Sequence, residues 1–189
     1  NTEIGILNFL PGGAHNVAND KTKHLVRRWV PRVLRATAPR NSTNMDWIVF
    51  RVAELYLNYA EALNEYYETP PKEAFDAVLK VRERSGMPGF PSTLNKKQFR
   101  EKLRRERAVE LAYEDHRFWD IRRWLIADDE GVMKGAMYGL QLSAVTGAPG
   151  KVHYKPYVFE NRLWSDRSYL HPIKQTEIDK GYMLQNPGW

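Results

Sequence analysis

The sequence of 189 residues contains no cysteine, so it can build neither a disulfide framework nor a Cys-ligated zinc site. It also has no apolar run approaching the ~18 residues that a membrane-spanning helix needs. Its opening, NTEIGILNFLPGG, lacks an initiator methionine and the basic and long apolar segments of a secretory leader. We therefore expect a cut or processed end, with any targeting signal upstream. The histidines at 15, 24, 116, 153 and 171 include no pair four residues apart and no H-E-x-x-H, which removes the usual helical metalloprotease pattern. GAPGK (147–151) is not a phosphate loop, because Val145 stands where its first glycine belongs and Val152 where its magnesium-binding hydroxyl belongs. The Asn41-Ser42-Thr43 sequon is short enough to occur by chance.

What is present is an ordinary globular composition, 42% hydrophobic and 28% charged, of a length that suits one domain. The net charge is +6, and Lys21, Lys23, Arg27, Arg28, Arg32, Arg35 and Arg40 follow one another with no acid between them. A nucleic-acid footprint has this look, and so does a solvated strand or loop. The second reading is preferred: no RNA-binding signature accompanies the run, and later basic clusters are interleaved with glutamate. Aromatics reach 12%, with six Trp and ten Tyr. Such rings fill cores, and they also face sugars, peptides and bases.

Along the chain, 1–46 reads as irregular, with HLVRRWV (24–30) as a strand closed by Pro31. From Trp47 the pattern is helical, with Phe50, Ala53, Leu57, Ala60 and Leu63 recurring on one face. The helix should stop before Pro70, with Thr69 capping a second helix that has Pro70 at its first position. That helix carries Ala74, Val78 and Val81 on one face, flanked by Phe75 and Leu79, and Gly86 follows as a cap. Small Ala60 and Ala74 give a tetratricopeptide-like hairpin, which alone cannot bury both of its faces. A third helix is predicted from Asn95, whose capping box uses Gln98 and whose staple uses Leu94 and Phe99. Its apolar stripe is Phe99, Leu103, Ala108, Leu111 and Ala112. In 127–168, Gly131, Gly135, Gly139, Gly147, Pro149 and Gly150 suggest short broken pieces, with a strand in KVHYKPYVF. A single helical turn is expected over Thr176 to Asp179.

The most informative run is ERAVELAYEDHRFWDIRRW (106–124), the end of the third helix and a short fourth one. Glu106, Glu110 and Glu114 lie four apart among Arg105, Arg107, Arg117, Arg122 and Arg123. A glycosidase needs two carboxyls over a cleft, one with a raised pKa. So many arginines would hold these carboxylates ionised. The pattern reads as an Arg–Glu lattice that ties helices together. His116 and Asp120 share a helix face, and a structural hydrogen bond suits them better than an acid–base pair. No catalytic residue, cofactor or metal site is expected.

This run closely resembles the E-R-x-x-E-L-x-x-E-x-H-R-x-x-D-x-R-R-W signature of the SusD/RagB family. FRVAELYLNYAEALNE (50–65) is similar to a second block of that family. YLHPIKQTEIDKGYMLQNPGW (169–189) is similar to its terminal block, with Lys174 where proline is usual and Gly181-Tyr182 where Asn-Pro is usual. The resemblance implies a mainly α fold of tetratricopeptide-like hairpins with loop-rich insertions, of which this chain is the C-terminal portion. Within it, 1–46 would be irregular or strand, 47–126 the helical scaffold, 127–168 a loop-rich insertion and 169–189 the terminal motif. It further implies a non-enzymatic lipoprotein exposed on the outer membrane, anchored through a lipid outside this chain. Such a protein would capture glycans, or peptides in some members, for a TonB-dependent SusC-type transporter. Exposed rings would do the binding, and Tyr157 and Trp164 are the candidates here; Trp119 and Trp124, in the scaffold motif, are expected in the core. A peptide-binding RagB-like role and a basic nucleic-acid-binding module are the alternatives, although nucleic acid is not the expected partner.

Overall fold

The computed structural model describes residues 20–23, 48–148 and 151–189. The expected strand at 24–30, the turns near the start, Trp47, and the cations Arg27, Arg28, Arg32, Arg35 and Arg40 lie outside the described residues. The chain divides into two compact units, residues 28–120 and residues 1–27 with 121–189. Five α-helices and one two-stranded sheet occupy the described residues.

In the first unit, α1 (Val52–Tyr66) and α2 (Lys72–Glu83) form a hairpin with α3 (Lys96–Glu110) packed on it. Helix α1 opens later than its periodicity predicts. Its capping residue, Arg51, is extended at φ −150 and ψ 156, and Phe50 is 57% exposed rather than on the buried face. Helix α2 also starts late, after Pro71 rather than Thr69. The cause is the Pro70-Pro71 pair: a residue before proline is pushed out of the α region, so Pro70 cannot open the helix.

The core follows from the small residues. Ala60 and Ala74 are both fully buried, and with Leu57, Ala77, Val78 and Val81 they let α1 and α2 meet closely. Phe99 of α3 fills the space beside them, edge-on to Phe75 at 4.9 Å and Phe90 at 5.7 Å. Its helix begins with the predicted capping box. The Gln98 amide donates to Asn95 Oδ1 at 2.9 Å, and the Asn95 amide donates to Gln98 Oε1 at 3.1 Å.

Helix α3 is too charged to bury an apolar face along its whole length. Only Phe99 and Leu103 do so, and Glu106 and Arg107 are buried one turn further on. Their partners come from every neighbouring element. Glu106 is bonded by Arg82, and Glu110 by Arg51 at 2.5 Å and Arg84 at 3.1 Å. Glu114, 2% exposed in its side chain, is bonded by Arg51 at 2.8 Å. Arg107 reaches Asp120, in the middle of α4 (His116–Arg123), at 2.7 Å, and Asn58 of α1 at 2.6 Å. His116 meets Glu54 at 3.5 Å. Burial alone would lower the Arg51 pKa, but the hydrogen bonds and charges of Glu114 and Glu110 push it above its usual value. The stretch from Glu106 to Asp120 is thus the polar seam of the helical unit.

In the second unit, β1 (Gly135–Ala144) and β2 (Val152–Arg162) pair antiparallel, with a bulge between Met137 and Tyr138. The glycine-studded stretch is therefore less broken than its composition suggests. Gly139 sits mid-strand because a Cβ there would meet Lys21 O at 2.4 Å and the Tyr157 ring at 3.1 Å. That same carbonyl accepts from the Leu140 amide at 2.8 Å, which lays residues 20–23 beside β1.

The C-terminal block closes on itself. After α5 (Gln175–Ile178), which matches the expected single turn, the Gln185 amide brackets the Ile173 backbone, accepting from its N–H at 2.7 Å and donating to its carbonyl at 2.9 Å. Asn186 donates to His171 O at 2.6 Å, and the Trp189 indole donates to Arg167 O and Leu170 O at 2.9 and 3.1 Å. The guanidinium of Arg167 lies 4.7 Å from the Trp189 ring centre.

Replacing Arg51 with alanine leaves Glu114 buried without that partner. We expect a loss of roughly 2–4 kcal/mol, since breaking a desolvated pair costs more than the pair adds. Urea unfolding of Arg51→Ala checks this, and a change below about 0.5 kcal/mol would remove the seam from the account of stability.

Candidate functional site

The two rings singled out by sequence, Tyr157 and Trp164, lie on the β1–β2 hairpin and the segment after it. Residues directly opposite in an antiparallel pair share a face, and alternate residues repeat it. Tyr138 faces Val158, Leu140 faces Pro156, and Leu142 faces Tyr154, which gives one apolar and aromatic face. Tyr138 and Tyr154 are 64% and 65% exposed on it. Gly139 faces Tyr157, Gln141 faces Lys155, and Ser143 faces His153, which gives a second, polar and cationic face.

The two residues singled out by sequence have different surroundings. Tyr157 is half-buried, with its ring against Gly139. Trp164, just beyond β2, is half-buried between the Tyr169 ring, 5.2 Å away and edge-on, and the Arg122 guanidinium, 5.3 Å from its own ring centre. Burial pulls the Arg122 pKa below its usual value. The indole nitrogen of Trp164 is buried and has no hydrogen-bond acceptor among the described residues. Tyr169 is itself fixed: its hydroxyl donates to the Asp128 carboxylate, and it accepts from the Asp128 amide at 3.3 Å. This bond holds the Asp128 carboxyl below its usual range, while burial and then Asp128 raise the Tyr169 pKa.

Sequence reasoning missed Tyr138 and Tyr154, and the alternation in KVHYKPYVF was the available signal. It also placed Trp119 in the core, whereas Trp119 is 59% exposed. Helix α4 buries the adjacent Asp120 and Ile121 instead, and Trp119 rests edge-on against Phe118 at 4.9 Å. Trp124 is half-buried, with the Arg123 guanidinium 4.7 Å from its ring centre. Among the described residues no group of three His, Cys, Asp or Glu is placed to hold a metal ion. Among them, too, no helix is long and apolar enough to cross a membrane.

A helical scaffold stitched by buried ion pairs, with a ring-bearing hairpin and a self-closed C-terminal block, defines a mainly α SusD-like fold. The chain belongs to the SusD family, whose model matches residues 8–189. Among curated relatives it is 40% identical over 95 residues to SusD-like protein P25 of Formosa agariphila, covering 49% of this chain and 18% of that protein. It is 30% identical over 158 residues to SusD-like protein P2 of the same organism, covering 79% of this chain and 26% of that one. Among solved structures, a SusD-like protein from Bacteroides fragilis superposes with a TM-score of 0.64 at 34% identity, over 77% of this chain and 26% of that one. A SusD homolog from Bacteroides thetaiotaomicron gives 0.54 at 30% identity, over 79% of this chain and 30% of that one. The chain thus spans about a quarter of the length of these relatives. Proteins of this family are in general non-catalytic, nutrient- and glycan-binding outer-membrane lipoproteins that associate with SusC-like transporters.

Tyr169→Phe keeps the ring against Trp164 and removes the hydroxyl. The Asp128 carboxyl should then titrate at higher pH, closer to its ordinary value of 3.8, with Trp164 fluorescence little changed. A carboxyl NMR titration of the two proteins checks this.

Proposed function

We propose that this chain is part of a cell-surface protein that binds oligosaccharides without cleaving them and delivers them to a SusC-type, TonB-dependent transporter. Its membrane association would come from a lipid anchor outside the chain. The observation that carries the reading is the family match over residues 8–189. The hairpin supports it: stacking on a sugar needs an accessible ring on a rigid support, and strands hold a ring more firmly than a loop does. Tyr157 is the first candidate, with Tyr138 and Tyr154 on the opposite face. Trp164, wedged between Tyr169 and Arg122, would border the surface through whatever part of its ring stays accessible. The scaffold carries no acid–base task in this reading, because Glu106, Glu110, Glu114 and Asp120 are each engaged by an arginine within the helical unit.

The test is calorimetric titration of the chain with a panel of neutral and acidic polysaccharides, followed by product analysis. Binding without chain cleavage is expected, and Tyr157→Ala should weaken it roughly tenfold, or about 1.4 kcal/mol. Cleavage of any glycan, or no binding across the panel, contradicts the proposal.

A further inference from the structure

Between Gly131 and Phe159 the chain has no aspartate or glutamate, yet it has Lys134, Lys151, His153 and Lys155. The strand register sorts most of this charge onto one side. Tyr157, Lys155 and His153 alternate along β2 and so share a face, opposite Gly139, Gln141 and Ser143. Lys151 continues the row. The Val145 amide donates to its carbonyl at 3.1 Å, which carries the pairing one step past the strands. Gln141, Ser143, Lys151, His153 and Lys155 are all exposed, and Tyr157 is half-buried at the end of the row. The strand carboxylate, Glu160, lies beyond the bulge and is held by Arg162 at 2.9 Å.

We infer that this face, Lys151–His153–Lys155–Tyr157 with Gln141 and Ser143 opposite, binds an anionic carbohydrate, one bearing uronate or sulfate groups. The inference rests on the carbohydrate-binding reading above and names the class of sugar. Alternate residues of a strand stand roughly 6.6–7 Å apart, so Lys151 and Lys155, with His153 between them, form a line rather than a point. A line of positive charge raises the local concentration of a polyanion and draws it along the strand. Tyr157 supplies an apolar ring at one end of that line for a pyranose face, and Gln141 and Ser143 supply neutral donors and acceptors for hydroxyls. The opposite face, with Tyr138 and Tyr154, has the rings but not this row of cations. A nucleic acid would use the same charges, but it also favours successive rings for successive bases, and this face offers one.

The experiment titrates the whole chain with polygalacturonate, dextran sulfate, amylose and oligo-dT, each at about 50 and about 200 mM salt. The variants are Lys151→Ser/Lys155→Ser and, to keep charge, Lys151→Arg/Lys155→Arg. An acidic polysaccharide should bind at least tenfold tighter than amylose and weaken roughly tenfold with the added salt. The serine pair should lose that preference, while the arginine pair keeps it. Amylose binding equal to that of the acidic polymers and untouched by the serine pair overturns this inference and leaves carbohydrate capture standing. Tighter binding of oligo-dT than of either acidic polysaccharide also overturns it. No binding of any polysaccharide overturns both.

Discussion

The helical unit depends on one constraint: α3 must pack against its neighbours with charged residues in its buried face. Phe99 and Leu103 anchor its first half, but Glu106 and Arg107 lie where a hydrophobic residue would stand in a simpler bundle. Desolvating such groups is tolerable only when each finds a charged and hydrogen-bonded partner. Arg82 of α2 supplies it to Glu106, and Asn58 of α1 with Asp120 of α4 supply it to Arg107, while Arg51 and Arg84 bind Glu110 one turn further on. Arginine suits this task better than lysine because its planar fork can serve two acceptors at once. Arg51 does this, with Nε on Glu114 and a terminal nitrogen on Glu110.

Such a seam sets geometry as much as it adds stability. Apolar side chains would tolerate small slides of one helix along another. A guanidinium held by two carboxylates tolerates far less, because a shift strands a buried charge. The C-terminal block uses the same logic with neutral groups. Gln185 reads the Ile173 backbone on both its N–H and its carbonyl, and the Trp189 indole closes on two further carbonyls.

The parts legible in the sequence are those that local rules determine. The capping box at Asn95 and Gln98, the small pair Ala60 and Ala74, and the arginine-rich carboxylate run could each be read from spacing alone. The start of α2 could have been read too, since Pro70 before Pro71 forbids the expected first turn. The hairpin was harder. Gly135 and Gly139 look like breakers, and only the approach of Lys21 and Tyr157 to Gly139 explains why glycine belongs inside a strand. Trp119 misled because a ring in a scaffold motif suggests burial, while the inward side of α4 is taken by Asp120, which Arg107 requires. Of the binding candidates, Tyr157 and Trp164 could be named only as rings in the loop-rich 127–168 stretch. The cationic face that Tyr157 belongs to needed the register.

The most direct test of the seam is a double-mutant cycle on Arg107 and Asp120, the pair whose side chains are 5% and 4% exposed. Arg107→Ala, Asp120→Ala and the double variant would be unfolded in urea beside the parent. The account predicts a coupling energy of about 2–4 kcal/mol, because each single change leaves a buried charge behind and the double change does not. Additivity within about 0.5 kcal/mol would contradict it and would mean that the helices are held by their apolar contacts alone.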